Sequence, residues 1–66
     1  MTPAETIRRL RLVHRYGSCR DISVRCELLT RGLIERAVVD RAFLCLNGVP
    51  QFNLTDAGMA LIRVRP

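Results

Sequence analysis

The sequence predicts a single small α+β domain, and three observations predict it. Two stretches with helical spacing of apolar residues open the chain, about Pro3 to Arg15 and about Cys19 to Arg31, each followed by a glycine. The spacing then changes, and two short apolar runs flank Asn47-Gly48, the strongest short-range hairpin signal. A last short helical stretch, about Asp56 to Ile62, follows Thr55. Helix, helix, strand, hairpin and short helix in 66 residues make one core and one domain, residues 1–66.

Size limits what such a domain can do. A chain this short buries only roughly 60% of its unfolded surface. It has no room for a multi-layer catalytic architecture or a dinucleotide-binding domain. Its 48% apolar content still supports a core, which sets it apart from a disordered tail.

Each element has a local cause. Thr2 and Glu5 have capping-box spacing, and Pro3 suits the first helical position. Ile7, Leu10, Val13 and His14 then share one face, while Arg8, Arg11 and Arg15 stack along another. Glu5 is in reach of Arg8 and Arg9, and Gly17 stops the helix. Ser18 or Asp21 caps the second helix, whose expected core face is Cys19, Ile22, Cys26 and Leu29. Arg20, Ser23, Glu27 and Arg31 take the opposite side, with Glu27 and Arg31 in the favourable i, i+4 order. After Gly32, Leu33 and Ile34 begin an extended stretch. Ala42–Leu46 and Val49–Leu54 form the hairpin, with Pro50 at an edge or just outside the pairing. Thr55 caps the last helix, where Gly58 is an unexpected interior residue.

All eleven basic residues are arginine, and the net charge is +5. Arginine presents a planar fork that matches phosphate oxygens and guanine edges. A GC-rich coding sequence explains the absence of lysine equally well, but not the placement. Residues 1–31 carry seven arginines against Glu5, Asp21 and Glu27, a net of +4. Residues 32–62 carry Arg36 and Arg41 against Glu35, Asp40 and Asp56, a net of −1, and Arg63 and Arg65 follow. From Phe43 to Leu54 there is no charge at all.

The three cysteines, Cys19, Cys26 and Cys45, are odd in number, and no apolar leader segment follows Met1. The expectation is reduced thiols in a cytoplasmic protein, packed as small hydrophobes. A zinc site from His14 and the cysteines lacks any Cys-x-x-Cys knuckle, so no metal and no cofactor is expected. No apolar run has the roughly 20 residues of a membrane span. The four glycines are dispersed, so there is no phosphate loop. His14, the only histidine, has no evident nucleophile to serve, so an enzyme is not expected. Asp21, Asp40 and Asp56 read most simply as caps or turn residues.

Two stretches carry a family resemblance. Leu28-Leu29-Thr30-Arg31-Gly32-Leu33-Ile34-Glu35-Arg36 resembles the end of a recognition helix and its exit in MarR-like winged helix-turn-helix regulators. Phe52-Asn53-Leu54-Thr55-Asp56-Ala57-Gly58-Met59-Ala60-Leu61 resembles the second wing strand running into the following helix. Together they cover about half the chain, and the family usually places three helices before its wing where this sequence supplies two. The resemblance implies a small winged-helix-like domain whose second helix enters the major groove of double-stranded DNA. It nominates Ser18, Arg20 and Ser23 for base edges, Arg11, Arg15 and Arg31 for phosphates, and Arg41 for a wing contact. A solvated helix face with local ion pairs is the bland alternative for Arg20, Glu27 and Arg31.

Two functions follow from these readings. The first is a DNA-binding transcriptional regulator acting as a homodimer, which would also bury spare apolar residues such as Leu12, Val24 or Phe43. The second is a phage- or mobile-element-type protein that binds and inhibits or adapts a host protein or nucleoprotein complex. It would turn its arginines toward an acidic protein partner, or its hairpin edge toward an incoming strand.

Overall fold

The structure is a computed structural model that describes residues 1–63. It is an α+β domain with helices α1 (Pro3–Tyr16), α2 (Ile22–Thr30) and α3 (Asp56–Arg63). Six short strands lie between α2 and α3: β1 (Ile34–Arg36), β2 (Val38–Val39), β3 (Ala42–Phe43), β4 (Cys45–Leu46), β5 (Val49–Pro50) and β6 (Phe52–Leu54). Arg65 of the basic tail lies outside the described residues. No helix among the described residues is long and apolar enough to cross a membrane.

The first helix begins as its sequence dictates. The Thr2 hydroxyl accepts from the Glu5 amide at 3.1 Å, and Pro3 opens the helix. Its inward face is Thr6, Leu10 and Val13. His14, expected on that face, is exposed. Thr6 takes an inward position because its hydroxyl is satisfied twice, donating to the Thr2 carbonyl and accepting from Arg31. Gly17 ends the helix at φ 75°, its amide bonded to the Val13 carbonyl. A side chain there would also strike the Gln51 carboxamide.

The second helix starts later than the spacing suggests, and it turns a different face inward. Asp21 is the cap, accepting from the Val24 amide, so Ser18, Cys19 and Arg20 lie in the preceding turn. Leu28 is buried and Val24 packs against the core. Ile22 is 67% exposed, and Cys26 and Leu29 are exposed too. The expected face of Cys19, Ile22, Cys26 and Leu29 is therefore corrected to Val24 and Leu28. The apolar residues lie all round this nine-residue helix, so spacing alone could not choose the face. Asp21 fixes the first turn. At the far end Gly32, at φ 71°, lets the Leu33 amide bond back to the Leu28 carbonyl.

Three antiparallel ribbons follow, instead of one strand and one hairpin. β1 pairs with β6, β2 with β3, and β4 with β5. They meet at Ala37, Leu44 and Gln51, where the backbone closes a ring. The Ala37 amide donates to the Gln51 carbonyl, Gln51 donates to Leu44, and Leu44 donates to Ala37, at 3.0, 3.1 and 2.8 Å. Each ribbon arm ends in a two-residue turn with positive φ at both positions, Asp40-Arg41 and Asn47-Gly48. The second was legible in the sequence. The first was not, because arginine carries no preference for the left-handed region that Arg41 occupies. Pro50 pairs with Cys45 at a position whose backbone points out of the ribbon, so its missing amide costs no internal bond.

The core joins the layers. Leu10, Val13, Cys19, Leu28, Leu33, Ile34 and Phe52 form one buried cluster, with Val24, Leu54, Leu61 and Ile62 against it. Thr55 clamps α3 to this core: its hydroxyl donates to the Gly32 carbonyl and accepts from the Gly58 amide. Gly58 is then explained by close approach, because a Cβ there would collide with the Leu33 carbonyl. Gly58→Ala should gain about 1 kcal/mol in helix propensity. The clash is with rigid backbone, and overpacking of this kind costs about 1–3 kcal/mol. Urea unfolding should therefore show a net loss of stability, and a raised midpoint would contradict the close packing of α3.

Candidate nucleic-acid interface

The arginines divide into those that hold the fold and those that face outward. Glu5 pairs with Arg8 at 2.5 Å and with Arg9 at 3.1 Å along the surface of α1. Arg8 first, then Arg9, holds the Glu5 carboxyl below its ordinary pKa. That contribution is present above the ordinary carboxylate range and disappears as pH falls through the lowered value.

Arg25 belongs to α2 but points away from any outer surface contact. Its Nε and Nη2 donate to the Cys19 carbonyl at 3.1 and 2.7 Å, and its guanidinium lies 5.4 Å from the Phe52 ring centroid. Arg36 lies over Phe43 at 4.5 Å and Phe52 at 5.7 Å. Phe52 is thus a buried ring flanked by two guanidinium groups. Neither arginine was singled out in the sequence, because their role depends on a tertiary partner that spacing does not reveal.

Arg31 is exposed yet also bonded within the fold. It caps the end of α2, donates from Nη1 to the Thr6 hydroxyl at 3.1 Å, and pairs with Glu27 at 3.6 Å. These contacts tie the end of α2 to the start of α1. The α-amino group of Met1 lies 3.9 Å from the same Glu27 carboxylate.

The other nominated residues are distributed over three places. Arg11 and Arg15 are exposed on α1, and the Arg15 guanidinium lies 5.3 Å from the Tyr16 ring centroid. Ser18 and Arg20 sit in the turn between α1 and α2, and Ser23 is exposed on the first turn of α2. Arg41 is remote from these in sequence and stands at the tip of the β2–β3 arm, at φ 67°. Arg20 and Arg31 flank opposite ends of α2, roughly 14 Å of helix apart. Ser18 and Arg20 thus share the turn before α2 and Ser23 follows in its first turn, while Arg11 and Arg15 lie on α1, Arg31 at the far end of α2 and Arg41 at an arm tip.

A cleft of about 560 Å³ opens at this end, lined by Arg9, Leu12, Val13, Tyr16, Cys19 and Arg20, with Ser18 and Asp21. Its floor is apolar and its rim carries arginine. Burial pushes the Cys19 thiol upward in pKa, which suits a packing role. Cys26 and Cys45 are exposed, which corrects the expectation that all three thiols are core residues. His14 and the cysteines form no metal-holding group among the described residues.

The outward face of α2 carries little charge. Ile22, Ser23, Cys26, Leu29 and Thr30 are exposed there, while Arg25 and Glu27 are engaged elsewhere. Solvent-facing arginines lie instead on α1 and the α1–α2 turn, with others at Arg31, Arg41 and Arg63. Arg25→Ala should cost about 1–2 kcal/mol, since two charge-assisted bonds and a ring contact go together. Arg20→Ala should change the unfolding free energy by no more than about 0.5 kcal/mol. Equal losses in denaturant titration would show that the two are not divided in this way. Comparison with protein-family models, curated proteins and solved structures finds no match to this chain, so its surface is read from its own residues.

Proposed function

We propose that the protein is a small winged-helix-like DNA-binding regulator that acts as a dimer. The observation that carries this reading is the exposure of Arg11, Arg15 and Arg20 on α1 and the turn after it, in a chain of net charge +5. Among the described residues, Arg15 and Arg20 have no acidic partner. A duplex backbone would supply one at every phosphate, with release of its condensed cations. Arg20, with Ser18 and Ser23 beside it, takes the base-edge role at the start of α2, and Arg11 and Arg15 take phosphates. Arg31 takes a phosphate from the far end of α2, where its side chain is exposed although Nη1 meets Thr6 and Glu27. Arg41 remains available at an arm tip for a separate backbone contact.

A second reading, docking on an acidic protein surface, is favoured by the uncharged outer face of α2. Ile22, Cys26 and Leu29 suit a partner protein better than a groove lined by phosphates.

Gel-shift titration with duplex DNA across a salt series separates the two. Four to six phosphate contacts predict a log–log slope of about −4 to −6. Arg15→Ala, which removes one phosphate contact from each chain of the dimer, should reduce that slope by about two. No retarded band at micromolar protein in low salt would overturn the DNA reading and leave the protein-docking one.

A further inference from the structure

The cleft beside α1 and the α1–α2 turn has two unlike parts. Leu12, Val13, Tyr16 and Cys19 make its floor, and Arg9 and Arg20 stand at its rim. Val13 and Cys19 belong to the buried core, so the floor rests on packed side chains. Leu12 and Tyr16 are 42% and 62% exposed above them. The turn is held as well, because the Cys19 carbonyl accepts two bonds from Arg25. A volume of about 560 Å³ falls within the roughly 300–1,000 Å³ of small-molecule sites.

The rim calls for an anion. Arg20 has no acidic partner among the described residues. Arg9 meets Glu5 through Nε, and a guanidinium carries five N–H donors in a planar fork. Ser18 adds a hydroxyl at the cleft. Asp21 also borders it, but its carboxylate caps α2 and is set against the positive end of that helix. The floor calls for something apolar, and most occupants satisfy only one half. A nucleic-acid backbone meets the rim and leaves the floor wet. A second copy of this +5 chain repeats the charge of the rim. A protein partner needs roughly 20–30 residues a side, far more than a floor of four side chains.

We propose that the cleft binds a single-chain aliphatic carboxylate. The carboxylate accepts from Arg20, whose fork matches its two oxygens, with Arg9 and Ser18 as the further donors of the rim. The hydrocarbon chain lies over Leu12, Val13 and Tyr16 and takes their apolar surface out of water. Head and chain are both required. The head supplies the charge that the rim lacks, and each fully buried methylene tightens binding by about fourfold. This site goes beyond the DNA reading and does not rest on it, since it needs neither a duplex nor a second chain.

Tyr16 is the one tyrosine and the chain has no tryptophan, so intrinsic fluorescence reports from the cleft itself. The full chain is titrated, without DNA, with hexanoate, octanoate and decanoate below their micelle-forming concentrations. The expected result is a saturable change in Tyr16 emission, with affinity rising by about fourfold per added methylene while the floor is being covered. Octyltrimethylammonium, the same chain with the opposite charge, should give no change at the same concentrations. Arg20→Ala should weaken octanoate by about tenfold. Arg63→Ala removes the same charge away from the cleft and should leave octanoate binding unchanged. If Arg20→Ala fails to fold, amide chemical shifts of the native chain with octanoate decide. Shifts gathered at Leu12, Tyr16 and Arg20 support the site, and shifts gathered at the exposed Val38, Phe43 and Leu46 overturn it. No saturable binding at millimolar octanoate, an equal response to the cation, or affinity independent of chain length overturns it as well.

Discussion

Three backbone hydrogen bonds among Ala37, Leu44 and Gln51 set the shape of everything after α2. The ring forces three strand segments to share one point and then diverge as paired ribbons. Ala37 and Gln51 are buried there, and the small side chain of Ala37 allows the crowding. One ribbon, β1 with β6, runs back into the core through Ile34 and Phe52 and carries α3 beyond it. The other two project as arms. A lone two-stranded ribbon is marginal in water, so each arm depends on the ring at its base. The left-handed conformations of Asp40 and Arg41 follow, because a two-residue turn of this hand is what the paired ends require.

The same junction links the helices to the sheet. Phe52, next to Gln51, receives the end of α1 through its amide and is flanked by Arg25 and Arg36. Arginine is thus a structural residue on one side of the molecule and a solvent-facing one on the other. Arg25 and Arg36 surround a ring, and Arg31 fastens α2 to α1 through Thr6. The outward charge is spread over α1 and its following turn, the Arg41 arm tip, and Arg31 and Arg63 at helix ends. That partition narrows the meaning of an arginine-only composition, since part of it is packing.

The legible parts of the sequence were those with a local cause. Thr2, Pro3 and Gly17 fixed the bounds of α1 almost to the residue. Asn47-Gly48 located one turn, and Thr55 located the start of α3. What escaped had a distant cause. The inward face of α2 depends on the Asp21 cap and on Leu28 meeting Leu33, and its nine residues offered no clean apolar stripe. Gly58 made sense only beside the Leu33 carbonyl. For the candidate interface, exposure of Arg11, Arg15 and Arg20 agrees with their nomination. The bond from Arg31 to Thr6 escaped the sequence because Thr6 lies twenty-five residues earlier in the chain.

Amide hydrogen exchange, followed residue by residue, tests the junction most directly. The account predicts that Ala37, Leu44 and Gln51 exchange slowly and together, with free energies close to that of global unfolding. Asp40 and Arg41, at the tip of an arm, exchange much faster. Leu44 and Gln51 exchanging as fast as those turn residues, while the core amides of Leu10 and Leu28 stay protected, would contradict it. The arms would then open independently of the core, and the ring would not be what holds the three ribbons in place.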